Sequence, residues 1–321
     1  MVLRRTLDSM HWLAALALLA ASVRCAPRAK SDKPQVAASF FPIWDIGRRV
    51  AGDRVDVIRV LPRGRSEHYY DPAPRELLRF VDARLGFTVG LHLDPWAEKI
   101  IHAAAGDDVP IVQLGPHVKT RAITGGEMLG SEDADRSAAH TTEHAAEEYS
   151  HHGATDPHFW MDPTLMQTVA DVYADELSLL DPAGADGFHA RAARVKAELT
   201  QLDETIMAHS RAWTEHRIVT FHGSFGYFAA RYGLTIAAVI EPFPGREPTP
   251  QYVAHVLHEL KERHVRVLFT EPQLPQRPAE VIAQMSGTLL RTVDPVGGQH
   301  EGDTYESMME HNLDVLDEVL R

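Results

Sequence analysis

Cysteine is almost missing from this chain of 321 residues, with Cys25 its only one. That excludes a disulfide framework and any zinc module built on thiolates. Basic residues are in deficit, 32 Lys and Arg against 45 Asp and Glu, for a net charge of −13. The chain therefore lacks the positive surface with which proteins displace counterions from nucleic acid. The apolar run Trp12–Ala21 falls short of the roughly 20 residues that cross a bilayer core. No G-x-S-x-G, P-loop or G-x-G-x-x-G follows a strand-like run, so the usual hydrolase, NTPase and dinucleotide signatures are absent. What is abundant is histidine, 19 in all, and imidazole is the commonest protein ligand of transition metals.

Arg4 and Arg5, the short apolar run and the small residues Ala20, Ala21 and Ser22 together read as a secretory signal peptide over residues 1–25, with Met10 an alternative start. Cys25 stands where an acylated lipoprotein cysteine would stand, but Arg24 before it favours cleavage after Ser22; both readings remain open. Losing residues 1–25 removes Arg4, Arg5 and Arg24 against Asp8 alone, which leaves the remainder near −15. The expected location is periplasmic or otherwise extracytoplasmic.

From Lys33 onward strand-like runs (Gln35–Phe40, Val55–Leu61, Leu85–Val89, Ile111–Gln113, Arg217–Phe221, Thr235–Val239, Val265–Thr270, Leu289–Val293) alternate with helical segments. Those segments are Ala73–Val81, Pro95–Ala105, Ser224–Tyr232, Pro250–Arg263 and Pro278–Met285. Such alternation predicts βαβ units around parallel sheets, an α/β fold. The stretch Ala183–Trp213, rich in Ala, Leu, Glu, Arg and Lys, predicts a helix of about 45 Å. We read it as a link, residues 183–213, between an N-terminal lobe (33–182) and a C-terminal lobe (214–321). Residues 125–153 interrupt the pattern with seven acidic residues and with His140, His144, His151 and His152. An acidic, histidine-rich loop of this kind attracts divalent cations weakly.

Four candidate ligands lie at strand ends or in connecting loops. His68 follows the strand ending at Leu61, His158 lies in Asp156–Pro163, His222 directly follows Phe221, and Asp294 closes the run Leu289–Val293. Ligands of open α/β sheets bind beyond the carboxyl ends of strands. Three imidazoles and a carboxylate suit a tetrahedral site, zinc most naturally.

At these residues the chain resembles the metal-binding (cluster A-I) substrate-binding proteins of ABC transporters, and among them the zinc-specific, ZnuA-like branch. The matching stretches are Pro62–Pro74, Asp156–Pro163, His222–Gly233, Phe269–Gln273 and Val293–Gly297. The resemblance implies two Rossmann-like lobes joined by a rigid helix, with a zinc ion in the cleft. His68 and His158 would come from one lobe, His222 and Asp294 from the other. Histidine at position 222 is typical of the zinc binders, whereas manganese binders carry glutamate there. Some zinc-specific members fill the fourth position with an acidic neighbour such as Glu67, or with water; Asp294 is taken first and Glu67 as its alternative. The implied function is a monomeric, exported receptor that hands Zn²⁺ to the membrane permease of an importer and is no enzyme. Manganese binding, zinc buffering and adhesion are the rival roles, as is zinc-dependent hydrolysis with Glu67 as base.

Other motifs carry less. His140-Thr-Thr-Glu143-His144 matches a zinc-protease pattern but lies in the acidic insert. His255 and His258 lack the H-E-x-x-H order and read as the solvated face of a helix. His92 could line the cleft but reads first as a loop residue, and Glu271 as a structural hydrogen-bonding group.

Overall fold

Proline in the first turn begins six of the helices, because its fixed φ suits that turn and its missing N–H is not needed there. These prolines punctuate the passage from loop to helix through the computed structural model, which describes residues 33–123, 155–242 and 245–321. In chain order the first lobe holds β1 (Gln35–Ala38), α1 (Phe41–Ala51), β2 (Asp56–Arg59), α2 (Pro74–Leu77), β3 (Ala83–Thr88), α3 (Pro95–Ala105), β4 (Ile111–Gln113) and α4 (Pro163–Leu180). The long helix α5 (Ala185–Ser210) follows. The second lobe holds β5 (Arg217–Thr220), α6 (Gly226–Tyr232), β6 (Thr235–Val239), α7 (Pro250–Glu262), β7 (Val267–Thr270), α8 (Arg277–Ser286), β8 (Leu289–Thr292) and α9 (Tyr305–Leu320).

All eight expected strands form, in two parallel four-stranded sheets ordered β2-β1-β3-β4 and β6-β5-β7-β8. Each sheet reverses its winding beside its first strand, so a crevice opens at the carboxyl ends of β1 and β3 and again of β5 and β7. Helices α1, α4 and α9 were not picked out from the sequence. The expected helix over Ala73–Val81 is shorter, because Arg79 and Phe80 bond back three residues and turn the chain into β3, which begins at Ala83.

Period-2 alternation decides which face of the second sheet goes where. Ile218, Ile236, Val267 and Phe269 join the large core that fills the first lobe. Val219, Phe221, Ala237 and Leu268 face a separate core closed by Val256 and Leu260 of α7 and Ile282 of α8. The large core also takes in Tyr305, Met309, Leu313 and Leu316 of α9, so the two lobes share one apolar interior. Helix α5 buries Phe188, Ala192, Val195, Leu199, Leu202 and Ile206, a stripe at spacings of three and four, against α4 and α1. It packs along the first lobe and also meets α6 and α9 of the second, so it joins the two.

The lobes are also tied by hydrogen bonds. Trp160 Nε1 donates to Pro295 O (2.8 Å), Tyr305 Oη to Trp160 O (2.6 Å), and the Tyr305 amide to the buried carboxylate of Asp45 (3.0 Å). Gly298 shows how closely the lobes approach. Its φ is +67°, and a Cβ there would lie 2.3 Å from the Phe41 ring, so only glycine fits. Among the described residues no helix is long and apolar enough to cross a membrane.

Candidate metal centre

The connection after β2 carries Glu67 and His68 to the cleft, where Trp96 of α3 donates to the Glu67 carbonyl (2.8 Å) and fixes its backbone. His158 sits at the start of the turn Phe159–Met161 that leads into α4. His222 leaves β5 directly and precedes the turn Gly223–Phe225 into α6. The three imidazoles form a triangle with ring centroids 5.0–5.4 Å apart.

One atom from each of Glu67, His68, His158 and His222 lies within 4.8 Å of all the others. The closest approaches are 3.5 Å between Nε2 of His68 and His158, 3.6 Å from His222 Nε2 to Glu67 Oε1, and 3.7 Å from His68 Nε2 to the same oxygen. Zinc–ligand bonds of about 2.0–2.1 Å give a tetrahedron with edges of about 3.4 Å. The four donors thus need only a small contraction to hold one ion. Glu67 Oε1 and both ring nitrogens of His222 are buried and make no hydrogen bond, and a cation between Glu67 Oε1 and His222 Nε2 would satisfy those two.

Carboxylates stand behind two of the rings. Asp156 Oδ1 accepts from His158 Nδ1 (2.8 Å) and from its amide (2.9 Å), while Arg121 Nη1 holds Oδ2 at 2.5 Å. Glu271 Oε1 lies 2.8 Å from His222 Nδ1. The carboxylate on Nδ1 of His158 keeps the proton there and leaves its Nε2 as the donor to a metal. Burial alone would push Glu67 up, but His222, His68 and His158 pull its carboxyl down to about 2. Burial likewise opposes charge on His222, yet Glu271 and Glu67 raise its imidazole to about 10. The carboxylates around these rings thus favour positive charge at the centre of the cluster. Glu241, at the end of β6, is raised to about 7 chiefly by its burial, with its amide contact from Gly245 opposing.

Asp294 is not brought into this group. Its Oδ1 accepts from Gln273 Nε2 (2.6 Å) and from the amides of Val296 (3.0 Å) and Gly297 (2.7 Å), and its Oδ2 from Gln299 Nε2 (3.1 Å). The physical reason is strand order. β7 stands between β5 and β8, which sets the end of β8 about 10 Å from that of β5. The residue that reaches His222 is accordingly Glu271, at the end of β7. Sequence reading gave Glu271 only a structural role and did not single out Asp156, although its spacing of two from His158 marks a side chain able to fold back on that ring.

His92 is exposed, and its left-handed φ of +65° belongs to the turn before α3. His255 is half-buried with Nε2 enclosed, so it is not part of a solvated face. His140, His144, His151 and His152 lie outside the described residues, as do Cys25 and the segment 1–25.

Comparison with known proteins agrees with this architecture. The family described as zinc-uptake complex component A, periplasmic (ZnuA), matches residues 36–319. The chain is 26% identical over 289 residues to the zinc-binding protein AdcA of Streptococcus pyogenes serotype M3, covering 88% of this chain and 55% of that protein. It thus spans about half the length of that curated relative. It is 27% identical over 320 residues to the iron ABC transporter substrate-binding lipoprotein MtsA of Streptococcus pyogenes serotype M1, covering 96% of each. A crystal structure of ZnuA superposes with a TM-score of 0.74 over 90% of this chain and 100% of that one, at 23% identity, which shows the shared fold.

Proposed function

Because this chain belongs to the family of the periplasmic zinc-uptake component A, we propose that it is an extracytoplasmic receptor that holds Zn²⁺ between its lobes and passes it to the membrane permease of an ABC importer. Glu67 and the Nε2 atoms of His68, His158 and His222 would be the ligands, with Glu67 in the fourth position in place of Asp294. The observation that carries this reading is the closeness of three imidazoles and one carboxylate to tetrahedral edges, with two of the donor atoms buried and unpaired. Imidazole-rich tetrahedral sites select zinc over manganese, which prefers more oxygen ligands.

The receptor reading also rests on what surrounds the donors. Asp156 orients the His158 ring, Glu271 stands 2.8 Å from that of His222, Trp96 fixes the Glu67 backbone, and the shared apolar core keeps the lobes in register, so the ligands are pre-arranged. Hydrolysis would need an open metal position beside a separate base; Glu67, the base candidate named from the sequence, is itself among the four donors. The use of Glu67 as a ligand supports cargo binding over catalysis. Residues 1–25 would serve export, with Cys25 acylated or removed, and His140, His144, His151 and His152 would collect cations weakly.

Competition titration of the purified chain with Zn²⁺ and Mn²⁺ tests the reading. Zinc should bind one per chain and more tightly, and His222→Ala should abolish that site. Equal or tighter manganese binding would overturn the choice of metal, and unchanged affinity in His222→Ala would overturn the site.

A further inference from the structure

A dication placed among three neutral imidazoles and one carboxylate still leaves one unit of positive charge inside the protein. Burying such a charge without a counter-charge is costly. Two further carboxylates touch the ligand rings, and they are not equivalent. Asp156 is already neutralised, since Arg121 Nη1 lies 2.5 Å from its Oδ2. Glu271 is almost fully enclosed, 1% exposed, and has no arginine or lysine paired to it among the described residues. Its Oε1 receives the Ser224 hydroxyl (3.3 Å) and the His222 amide (3.4 Å), and lies 2.8 Å from His222 Nδ1. Its backbone carbonyl accepts from Gln276 Nε2 (2.7 Å), so the residue is held at both ends.

The geometry points to Glu271 as the positioning residue that completes the charge balance of the cation site, acting through the His222 ring without touching the metal. Together with Glu67 it supplies the two negative charges that match a dication, while Asp156, cancelled by Arg121, only orients His158. The inference rests on the zinc-receptor reading above, and goes beyond it by assigning affinity to a group that is not a ligand. Because the effect is one of charge, it acts on every divalent cation alike and leaves the choice between them to the ligands.

The test compares the full chain with Glu271→Gln and Asp156→Asn, each of which keeps an oxygen for the ring and removes the charge. Zn²⁺ and Mn²⁺ affinities are measured against a chromophoric chelator, and the visible absorption of bound Co²⁺ reports the ligand set. Glu271→Gln should weaken both metals by about 10–100-fold with their ratio and the Co²⁺ bands unchanged, and Asp156→Asn should weaken them less. An affinity within twofold of the parent, a loss no greater than that in Asp156→Asn, or altered Co²⁺ bands would each overturn the assignment. Should Glu271→Gln not fold, judged by its metal-free melting, Glu271→Asp keeps the charge and should lose less than about tenfold. A hundredfold loss there would also overturn it. A parent chain that binds no zinc would instead sink the receptor reading itself.

Discussion

Replacing Glu67 by Gln, beside a parallel Asp294→Asn, decides which acid completes the site. Glu67 Oε1 lies 3.6 Å and 3.7 Å from the Nε2 atoms of His222 and His68, whereas Asp294 spends its oxygens on two glutamines and two backbone amides. Four-ligand zinc sites gain about 10–16 kcal/mol on binding, or about 3 kcal/mol per ligand if shared evenly. At about 1.4 kcal/mol per decade, Glu67→Gln should therefore weaken zinc about 100-fold. Asp294→Asn should change the affinity by less than about threefold, since no bond to the ion is lost. It should instead lower stability by about 1–3 kcal/mol, the cost of disturbing hydrogen bonds to a buried carboxylate. The assays are zinc competition against a chelator and thermal melting of the metal-free chain. A large affinity loss in Asp294→Asn with none in Glu67→Gln would refute the reasoning and give the fourth position to Asp294.

Three further outcomes follow from the packing. Trp160→Phe removes the donor to Pro295 O from a fully buried position between the lobes, so it should cost about 1–3 kcal/mol and lower the melting temperature by roughly 5 °C; an unchanged melt would show that this tie is not used. Tyr173 buries a hydroxyl that makes no hydrogen bond, so Tyr173→Phe should be neutral or stabilising by up to about 2 kcal/mol in urea unfolding, and a clear loss would count against it. Asp94 is raised to about 6 by burial, against the amides of Val89 and Gly90 that favour its anion. A raised folded value means that the native state holds the proton longer, so this group's contribution falls as pH rises from about 4 to 6, by about 3 kcal/mol in all. The stability advantage of the parent over Asp94→Asn should shrink across that window; a constant or growing advantage would rule the effect out.

Burial of Tyr305, Met309, Leu313 and Leu316 from α9 in the core of the first lobe bears on how cargo leaves. Parting the lobes widely would expose these side chains, each at a cost of about 1.5–3 kcal/mol. On the receptor reading, the cation would therefore leave by local movement of the loops bearing Glu67 and His222, with the core shared by the lobes kept closed.

Much of this was legible in one dimension. Strand-like apolar runs placed all eight strands, and prolines at the starts of α3 and α7 marked the first residue of each helix. His222 was legible because it leaves β5 directly, whereas His68 and His158 lie in longer connections and were picked out by the motifs around them. Helices α1, α4 and α9 escaped although α9 carries a regular stripe at Tyr305, Met308, Met309, Asn312, Leu313, Leu316 and Leu320. The carboxylate behind His222 escaped for a deeper reason. Asp294 and Glu271 both end strands, and nothing local says which strand neighbours β5. That is set when the sheet assembles in the order β6-β5-β7-β8, which puts Glu271 against His222 and leaves Asp294 to pin its own loop. Local sequence determined the elements and the imidazoles; long-range strand pairing and the meeting of two lobes decided which carboxylates stand among them.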